Sequence, residues 1–239
     1  LQLACRASKG QTAAMDFKTP LVEGTLIRRY KRFLADVRLD DGREVTAHCP
    51  NPGSMRTCAE PGWRVLLSPS SNPKRKLKWT WEIVLADGVP VLVNTARPNS
   101  VVAEAIEAGA IPELRGYQTL RREVRYGENS RIDILLEGAS DSRPSCFVEV
   151  KSATLAAGHR RVIFPDSVTK RGAKHMRELA REVQAGHRAV VFFLVSRGDA
   201  EVFSPADEID PVYGKALRDA VAAGVEVLAY RCEITKKSL

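Results

Sequence analysis

Short stretches of alternating hydrophobic and polar residues occupy the first part of the chain. Phe33, Ala35, Val37 and Leu39 recur at every second position, which is the period of one face of a half-buried strand. Turn-forming sequences rich in Asp, Gly and Pro separate this stretch from similar ones at residues 45–49, 63–67, 79–85 and 91–94. Five short strands between residues 20 and 95 are typical of a small β-barrel such as the OB-fold, although strand number alone leaves an SH3-like barrel open.

Beyond residue 96 the pattern changes to helices interspersed with strands. Ser100 is a suitable N-cap for a helix over residues 101–107, and Asp210 followed by Pro211 is a suitable start for a helix that ends before Gly224. A further helix, over about residues 167–185, has an apolar stripe and a separate basic stripe. Strands are predicted at residues 120–126, 132–136, 146–150, 189–195 and 225–230. The order is αβββαβ followed by αβ, so the chain as a whole is of the mixed α/β class.

These patterns divide the chain into three parts. Residues 1–19 are mixed and polar, and we expect them to be a disordered or extraneous tail. Residues 20–96 are expected to form the OB-fold-like β domain, and residues 97–236 the mixed α/β domain that follows it. Within the second domain, the stretch 189–195 contains no polar residue and is expected to be a central strand covered on both faces.

Composition narrows the class of protein. The chain has 239 residues, 44% of them hydrophobic, and no apolar run approaches the roughly 20 residues needed to span a bilayer. The five cysteines are an odd number, widely spaced and without a C-x-x-C pair, which argues against a disulfide framework and against a structural zinc site. We therefore expect a soluble globular protein with reduced thiols, located in the cytoplasm.

An excess of positive charge indicates a polyanionic ligand. Lys and Arg number 37 against 29 Asp and Glu, so the formal net charge is +8, and the basic residues are clustered along the chain. Clustered cations favour the phosphates of a nucleic acid, whereas a basic surface kept for solubility is the alternative. The candidate nucleic-acid-binding residues are Arg28, Arg29, Lys31, Arg32, Lys74, Arg75, Lys76, Lys170, Arg171, Lys174 and His175.

Several side chains in and near these clusters have more than one interpretation. Trp79 follows the second cluster and is a candidate for stacking on bases, whereas Trp63 and Trp81 fit strand alternation and are expected in the barrel core. His175 lies among basic residues of a predicted helix, where a phosphate contact and a plain solvated position are both open. The sequence contains no helix-turn-helix or zinc-finger pattern, so binding is expected to involve mostly phosphates and to be weakly sequence-selective.

Two carboxylates and one ammonium group are predicted to converge in the second domain. Glu149 and Lys151 are two residues apart on one predicted strand and therefore share a face. If this strand forms a hairpin with the preceding one about residue 141, Asp133 lies opposite Glu149. Such a pair of carboxylates suits Mg²⁺, which lowers the pKa of a bound water, while Lys151 orients that water or stabilises charge on the phosphorane. The alternative is a surface cross-strand salt bridge of little energetic weight.

The residues of this site carry a family resemblance. Asp133 followed by Glu149-x-Lys151 in an αβββαβ frame resembles the PD-(D/E)xK nuclease superfamily, with Ile132 in place of the proline. Longer runs resemble the sugar fermentation stimulation protein A (SfsA) family over about residues 20 to 236. These runs are LIRRYKRFLADV at 26–37, HCPNPGSM at 48–55, SRID at 130–133, VEVKS at 148–152 and FPDSVTKRG at 164–172. The resemblance implies an N-terminal OB-fold, a PD-(D/E)xK nuclease-like domain over residues 97–236, and DNA binding.

The resemblance also implies roles for individual residues. Asp133, Glu149 and Lys151 would be catalytic, with Asp133 and Glu149 holding Mg²⁺ or Mn²⁺. Glu104, on the helix that opens the second domain, is a candidate third metal ligand, with an exposed helical position as the alternative. The implied enzyme is a divalent-metal-dependent DNA endonuclease or exonuclease. Single- and double-stranded DNA are both open as partners, RNA is not excluded, no membrane partner is expected, and a homodimer stays open beside a monomer.

Two hypotheses about function follow. The first is a DNA-binding protein of weak sequence selectivity with a Mg²⁺-dependent nuclease-like site that hydrolyses phosphodiester bonds. The second is a non-catalytic DNA-binding regulator of sugar (maltose) metabolism in which the metal site is vestigial. The association with sugar metabolism comes from the family resemblance alone. Incubation with single- and double-stranded DNA, in Mg²⁺ or Mn²⁺ against EDTA, separates the two.

Overall fold

Fifteen strands and three α-helices make up the described part of the chain, residues 1–6, 15–138 and 143–239 of a computed structural model. The strands are β1 (Leu3–Ala4), β2 (Val22–Tyr30), β3 (Leu34–Leu39), β4 (Glu44–His48), β5 (Arg64–Pro69), β6 (Trp79–Ala86), β7 (Val89–Leu92), β8 (Thr119–Tyr126), β9 (Ser130–Glu137), β10 (Cys146–Ala153), β11 (Leu155–Ala156), β12 (Arg161–Phe164), β13 (Arg188–Val195), β14 (Val202–Pro205) and β15 (Glu226–Arg231). The helices are α1 (Pro98–Glu107), α2 (Lys170–Gln184) and α3 (Pro211–Ala222). None of these helices is long and apolar enough to cross a membrane.

Strands β2 to β6 close into an OB-like barrel in the order β2–β3–β4–β6–β5. Neighbouring strands are antiparallel except β4 and β6, which pair in parallel at Ala47 and Trp79 and so close the ring. β7 pairs with the second half of β6 and lies outside the ring. The predicted five-stranded barrel is confirmed. Its membership differs, because β2, which the alternation does not predict, takes the place of the strand predicted at 91–94.

Trp81 and the alternating apolar residues of β3 fill the barrel. Trp81 is fully enclosed, and Trp63 is partly buried against the same apolar cluster, as the alternation predicts. Ala35, Val37 and Leu39 are buried beside them. The barrel interior is therefore filled by the apolar residues that the alternation in the sequence predicts to face inwards.

Phe33 departs from the predicted alternation. β2 and β3 pair as far as Tyr30 and Leu34, so Phe33 lies in the turn between the strands, and its side chain is 43% exposed. β2 contains a bulge between Leu26 and Arg28. A bulge inserts an extra residue and breaks the period of two, which explains why alternation does not predict this strand.

A five-stranded sheet of order β15–β13–β10–β9–β8 forms the second half of the molecule. β10, β13 and β15 are parallel, while β8, β9 and β10 are antiparallel. α1 packs on one face through Val102 and Ile106, and α2 and α3 cover the other face through Met176, Leu179 and Leu217. β13 is buried on both faces, and the element order follows the predicted αβββαβ and αβ, with short additional strands.

Proline and side-chain caps set the helix starts. α1 begins at Pro98 with Arg97 at the N-cap position, so the expectation that Ser100 is the N-cap is wrong. Proline suits the first helical position because its φ is already helical and the N–H it lacks would have no partner there. Asp210 caps α3 as predicted, and Thr169 caps α2.

A separate four-stranded sheet, of order β1–β14–β12–β11, is not predicted by the sequence pattern. Its strands are two to four residues long, too short to show a period. β1 pairs with β14 through Leu3 and Phe203, and Phe17 donates its backbone N–H to Lys237 while its ring packs against the core. These contacts contradict the expectation of disorder for residues 1–6 and 15–17, and residues 7–14 of the predicted 1–19 tail lie outside the described residues.

The barrel and the central sheet share a buried boundary. Leu66 and Ile83 of the barrel strands, with Leu92 of β7, belong to the apolar cluster that α1 covers. Glu82, which is 1% exposed, accepts hydrogen bonds from the Arg97 guanidinium at 2.7 and 3.0 Å. The barrel therefore fixes the start of α1, and α1 in turn reaches the candidate site.

Candidate metal and nucleic-acid site

β9 and β10 separate at the point where the two predicted carboxylates lie. Their backbone pairing extends as far as Ile134 and Val148, and one step further in the same register Asp133 lies opposite Glu149, as predicted. There the Asp133 Oδ2 atom accepts a hydrogen bond from the Val150 N–H at 2.7 Å. The Asp133 carboxylate thus bridges the two strands where their backbone ladder ends.

Asn99, in the first turn of α1, holds the other oxygen of Asp133. Its Nδ2 donates to Asp133 Oδ1 at 2.7 Å. Burial and the nearby charge of Glu149 raise the pKa of Asp133 to about 6, against the hydrogen bonds from Val150 and Asn99 that lower it. Asn99 is not predicted by the sequence reasoning. The sequence feature that could have indicated Asn99 is a polar side chain directly after Pro98, in the turn of the helix that faces the sheet.

Glu149 is 2% exposed, with one carboxylate oxygen engaged and the other unpaired. Oε1 accepts from Lys151 Nζ at 2.5 Å and from His175 Nδ1. Burial acts to raise the pKa of Glu149, but these two donors outweigh it and hold the pKa below its ordinary value. Oε2 is buried and has no hydrogen-bond partner among the described residues. A cation would satisfy such an oxygen, since unpaired buried polar atoms are costly.

The donor set fits an ion of the magnesium type. Asp133 and Glu149 offer hard carboxylate oxygens, and Mg²⁺ commonly takes one or two carboxylates together with water and substrate phosphate. Glu149 Oε2 is unpaired, and each engaged Asp133 oxygen keeps a second lone pair. Across residues 1–6, 15–138 and 143–239, no group of three or more His, Cys, Asp or Glu side chains is suited to a metal. An ion held here would take its remaining ligands from water and phosphate.

Glu104 lies away from these carboxylates. α1 turns Val101, Val102 and Ile106 towards the sheet, and Glu104 is exposed on the helix. The structure therefore places Glu104 in the exposed helical position that the sequence analysis gave as the alternative. Asn99 is the α1 side chain that reaches the site.

His175 positions Glu149 and is not a surface contact. It is 3% exposed, its Nδ1 donates to Glu149 Oε1, and its Nε2 accepts from Arg171 Nε at 3.2 Å, so the ring carries its proton on Nδ1. Both sequence interpretations of His175, a phosphate contact and a solvated position, are wrong. The signal is present in the sequence, because His175 precedes Met176 and stands four residues before Leu179, on the buried stripe of α2.

A cleft of about 550 Å³ lies between the barrel and the central sheet. Asn99, Val150 and Lys151 line it, together with barrel residues 51–53 and the segment 163–169 that leads into α2. Asp133 is hydrogen-bonded to two of these lining residues and Glu149 to the third. The two carboxylates therefore lie directly behind the cleft wall, and Lys151 belongs to that wall.

Asp166 fixes the barrel side of the cleft. Its Oδ2 atom accepts from Ser54 Oγ at 3.1 Å and from Met55 N at 3.3 Å. A Cβ atom at Gly53 would collide with the same carboxylate, so a larger residue there would displace the Asp166 side chain. Arg29 donates to three backbone oxygens of this loop at 3.0 to 3.3 Å. Arg29, a candidate nucleic-acid contact, is therefore committed to holding the cleft wall.

The other residues predicted to contact nucleic acid fall into two groups, those without an ion pair in the described chain and those that contact another residue of it. The exposed candidates without an ion pair in the described chain are Lys31, Arg32, Lys74, Lys76 and Lys170. The engaged candidates are Arg28 with Asp36, Arg75 with Thr80, Arg171 with His175 and Lys174 with Glu178. Trp79 is half-buried and packs against the barrel core, which leaves it less surface for stacking on a base.

The first two basic clusters meet at one end of the barrel. His48, the last residue of β4, pairs with Leu34 on one side and with Thr80 on the other. Arg75, in the loop before β6, donates to Thr80 Oγ1 at 2.9 Å, so this loop lies close to His48 and to the turn between β2 and β3. From His48 the chain continues directly into residues 51–53 of the cleft wall.

Comparison with known proteins matches both halves of this architecture. Residues 27–93 match the family model described as the SfsA N-terminal OB domain, and residues 96–238 match the sugar fermentation stimulation protein RE domain. The first match decides for an OB-type barrel over an SH3-like one.

Individual relatives are similar along nearly the whole chain. A sugar fermentation stimulation protein homolog of Geobacter sulfurreducens is 58% identical over 220 residues, covering 92% of this chain and 93% of the relative. One of Maricaulis maris is 58% identical over 221 residues, with the same coverage of 92% and 93%. The solved structure of Pyrococcus furiosus SfsA in complex with Ca²⁺ is 30% identical, with a TM-score of 0.83 over 94% of each chain.

Proposed function

Because the chain belongs to the sugar fermentation stimulation protein (SfsA) family, we propose that it binds nucleic acid with weak sequence selectivity and hydrolyses phosphodiester bonds at a divalent-metal site. The observation that carries the proposal is the pairing of Asp133 with a buried, unpartnered oxygen of Glu149 directly behind the cleft. These two residues would hold Mg²⁺ or Mn²⁺. The Pyrococcus furiosus relative is a complex with Ca²⁺, a hard cation with the same preference for oxygen ligands.

The residues around the site have separate tasks in this proposal. A bound divalent ion supplies Lewis-acid polarisation of the phosphate and an activated water. Asn99 orients Asp133 and His175 orients Glu149, so the ligand oxygens keep their places before substrate arrives. Lys151 lines the cleft, where its ammonium group stabilises the negative charge that develops on the attacked phosphate.

The exposed cations supply the affinity for the phosphate backbone. Lys31, Arg32, Lys74 and Lys76 lie on the barrel, and Lys170 lies at the start of α2 beside the cleft. With a net charge of +8, binding is dominated by phosphate contacts, which carry little sequence information. We propose DNA as the ligand, and the experiment below includes RNA as the alternative.

Both halves of the chain contribute to this function. We propose the barrel, residues 20–96, and the nuclease-like part, residues 97–236, as the two domains, with the nucleic acid bound across the cleft between them. The protein acts in the cytoplasm in this proposal, where its five free cysteines stay reduced.

Incubation with labelled single-stranded DNA, duplex DNA and RNA, in Mg²⁺, Mn²⁺ or EDTA, tests the proposal. We expect cleavage with either metal and none in EDTA. Asp133→Asn and Lys151→Ala are each expected to slow cleavage about a hundredfold or more. Glu208→Gln, which removes an exposed carboxylate near α3, is the matched control and is expected to cleave like the wild type. Cleavage that persists in EDTA, or in Asp133→Asn, would contradict the proposed site.

A nucleic-acid-binding regulator that does not cleave is the second candidate, and one observation favours it. Lys151 and His175 occupy the same oxygen of Glu149, and the described residues provide no third ligating side chain beside the two carboxylates. In this candidate the metal site is vestigial, and the protein acts in the regulation of sugar (maltose) metabolism. Salt-dependent binding without cleavage under all the metal conditions above would select this candidate.

A further inference from the structure

We propose that the turn between β2 and β3 is a stacking site for an unpaired base, with Phe33 as the platform and Lys31 and Arg32 as the flanking phosphate contacts. This hairpin tip (Lys31, Arg32 and Phe33) deepens the proposed function, because the inference rests on nucleic-acid binding and names single-stranded nucleic acid as the form that is bound.

The first observation is the exposure of an aromatic ring. Phe33 is 43% exposed, and it is the one exposed aromatic side chain among the described residues. The alternation of β3 would bury Phe33 beside Ala35, yet the strand pairing starts only at Leu34. A large apolar side chain held in solvent at a turn has no role in the barrel core. Its exposed ring is free to contact a ligand.

The second observation is the charge on either side of the ring. Lys31 and Arg32 are exposed, and neither forms an ion pair within the described chain. Both have a left-handed backbone, with φ of 45° and 64°, a conformation in which turns usually place Gly or Asn. The tip therefore carries two long cationic side chains where smaller residues fit more easily. Cations that follow a backbone beside an aromatic platform are the pattern of single-strand binding.

The surface below the hairpin tip is already engaged and leaves Lys31 and Arg32 as the available charges. The Arg28 guanidinium lies 4.8 Å from the centre of the Tyr30 ring and pairs with Asp36 at 2.8 Å. Thr46 and Tyr30 also donate to Asp36, so both oxygens of this carboxylate are engaged. The network holds the base of the hairpin and lets the tip project as a defined element.

The hairpin tip is continuous with the cleft. The Cys49 N–H donates to the backbone oxygen of Phe33 at 2.9 Å, and residues 51–53 of the cleft wall begin two positions after Cys49. Two residues of chain span at most about 7 Å. A single-stranded nucleic acid that stacks one base on Phe33 can therefore continue along this wall towards Lys151. In a duplex the flat faces of the bases are covered by their neighbours, so an aromatic platform favours an unpaired base.

Fluorescence anisotropy in EDTA, which prevents metal-dependent cleavage, tests the stacking site. The probes are a labelled oligothymidylate, an abasic oligonucleotide of the same length and a duplex of the same length. Phe33→Ala is expected to weaken binding of the oligothymidylate between about fivefold and a hundredfold, which is the range for loss of one base–aromatic stack. Binding of the abasic strand is expected to stay as in the wild type, because its phosphates are unchanged.

Three further variants separate stacking from charge and from folding. Phe33→Tyr keeps an aromatic ring and is expected to bind the oligothymidylate like the wild type. Val212→Ala removes another exposed apolar side chain, 66% exposed on α3, and is expected to have no effect. Lys31→Ala is expected to make the negative slope of log affinity against log salt about 0.7 less steep on single strands, while Phe33→Ala leaves that slope unchanged.

The outcomes distinguish this inference from the proposed function. If the wild type binds none of the probes, both fail. If the wild type binds with the expected salt dependence but Phe33→Ala binds the oligothymidylate equally well, only the stacking site fails. An equal loss on the abasic strand also overturns it, as does a concentration-dependent self-association that Phe33→Ala abolishes, since the hairpin tip would then contact a second copy of this chain.

Discussion

The two carboxylates of the candidate site are oriented by side chains from two helices that pack on opposite faces of the central sheet. Asp133 accepts from Asn99 of α1, and Glu149 accepts from His175 of α2. The arrangement of the ligand oxygens therefore depends on how both helices pack on the sheet. Substitutions that leave both carboxylates in place are still expected to change metal affinity.

Replacement of Asn99 tests this dependence. In Asn99→Ala the Oδ1 atom of Asp133 loses its donor, and we expect the affinity for Mn²⁺ to fall about tenfold to a hundredfold, as is typical for a group that orients a metal ligand. Calorimetric titration measures the change. Glu104→Gln is the matched control on the same helix and should bind Mn²⁺ like the wild type. A comparable loss in Glu104→Gln would instead make Glu104 the third ligand.

Lys151 is expected to separate metal binding from hydrolysis. Lys151→Ala removes an ammonium group that cannot ligate a cation and frees Glu149 Oε1 of one donor, so affinity for Mn²⁺ should be equal to the wild type or higher. Asp133→Asn removes a ligand charge and should abolish the binding isotherm. Titrations of both variants beside a cleavage assay show the split. A Lys151→Ala protein that no longer binds Mn²⁺ would indicate that the lysine is structural.

At the scale of elements, the pattern of hydrophobic positions predicts those strands and helices whose period is unbroken. β13 and α2 are predicted because seven consecutive apolar residues and a clear stripe leave one interpretation. β2 is missed because its bulge shifts the period between Leu26 and Arg28. The strands of the small sheet are missed because two to four residues show no period at all.

Some features of the candidate site could likewise be predicted from the sequence, and others could not. The opposition of Asp133 and Glu149 is predictable, because a hairpin fixes the register and the period of two fixes the face. The contacts of Asn99 and His175 are not, since they depend on the docking of α1 and α2, and a helical period defines only which face is buried. For His175, the helical period already places the side chain on the buried face of α2, which argues against the predicted contact with a phosphate.

Asp210 links the starts of two helices and is expected to matter more than an ordinary cap. Its carboxylate accepts from the Tyr213 N–H of α3 at 2.9 Å and from the Thr169 N–H before α2 at 2.7 Å, and the residue is buried. Asp210→Ala loses a cap and leaves the partly buried Thr169 N–H unpaired, for a cost of about 2–3 kcal/mol in unfolding free energy. Thr169→Ala should cost about 1 kcal/mol. Urea unfolding of both, with exposed Ser167→Ala as control, checks the order.

At the scale of the whole molecule, the barrel and the central sheet are joined by a buried boundary. Leu66 and Ile83 of the barrel and Leu92 of β7 complete the apolar cluster under α1, and Ser54 of the loop after β4 donates to Asp166 in the segment before α2. We therefore expect the two halves of the chain to unfold together, in one cooperative transition.

The Arg97–Glu82 pair is the polar part of that boundary. Arg97→Met leaves the buried Glu82 carboxylate with Ser68 and Asn94 as its remaining donors, and we expect a loss of about 3 kcal/mol in unfolding free energy. Arg218→Met is the control, because its partner Asp207 is exposed and the pair is worth less than about 1 kcal/mol. Urea unfolding measures both. Equal losses in the two variants would show that the boundary pair has no special weight.

The hydrogen bond from the Val150 N–H to Asp133 has a consequence for the history of such a chain. Since this carboxylate also joins two strands, a descendant without the proposed cleavage activity would still be selected to keep it for folding alone. Lys151 joins no two strands: its ammonium group donates to Glu149 on its own strand and lines the cleft. If relatives lose the proposed cleavage activity, we therefore expect Lys151 to be substituted before Asp133. The residue at this position should then distinguish active from inactive relatives.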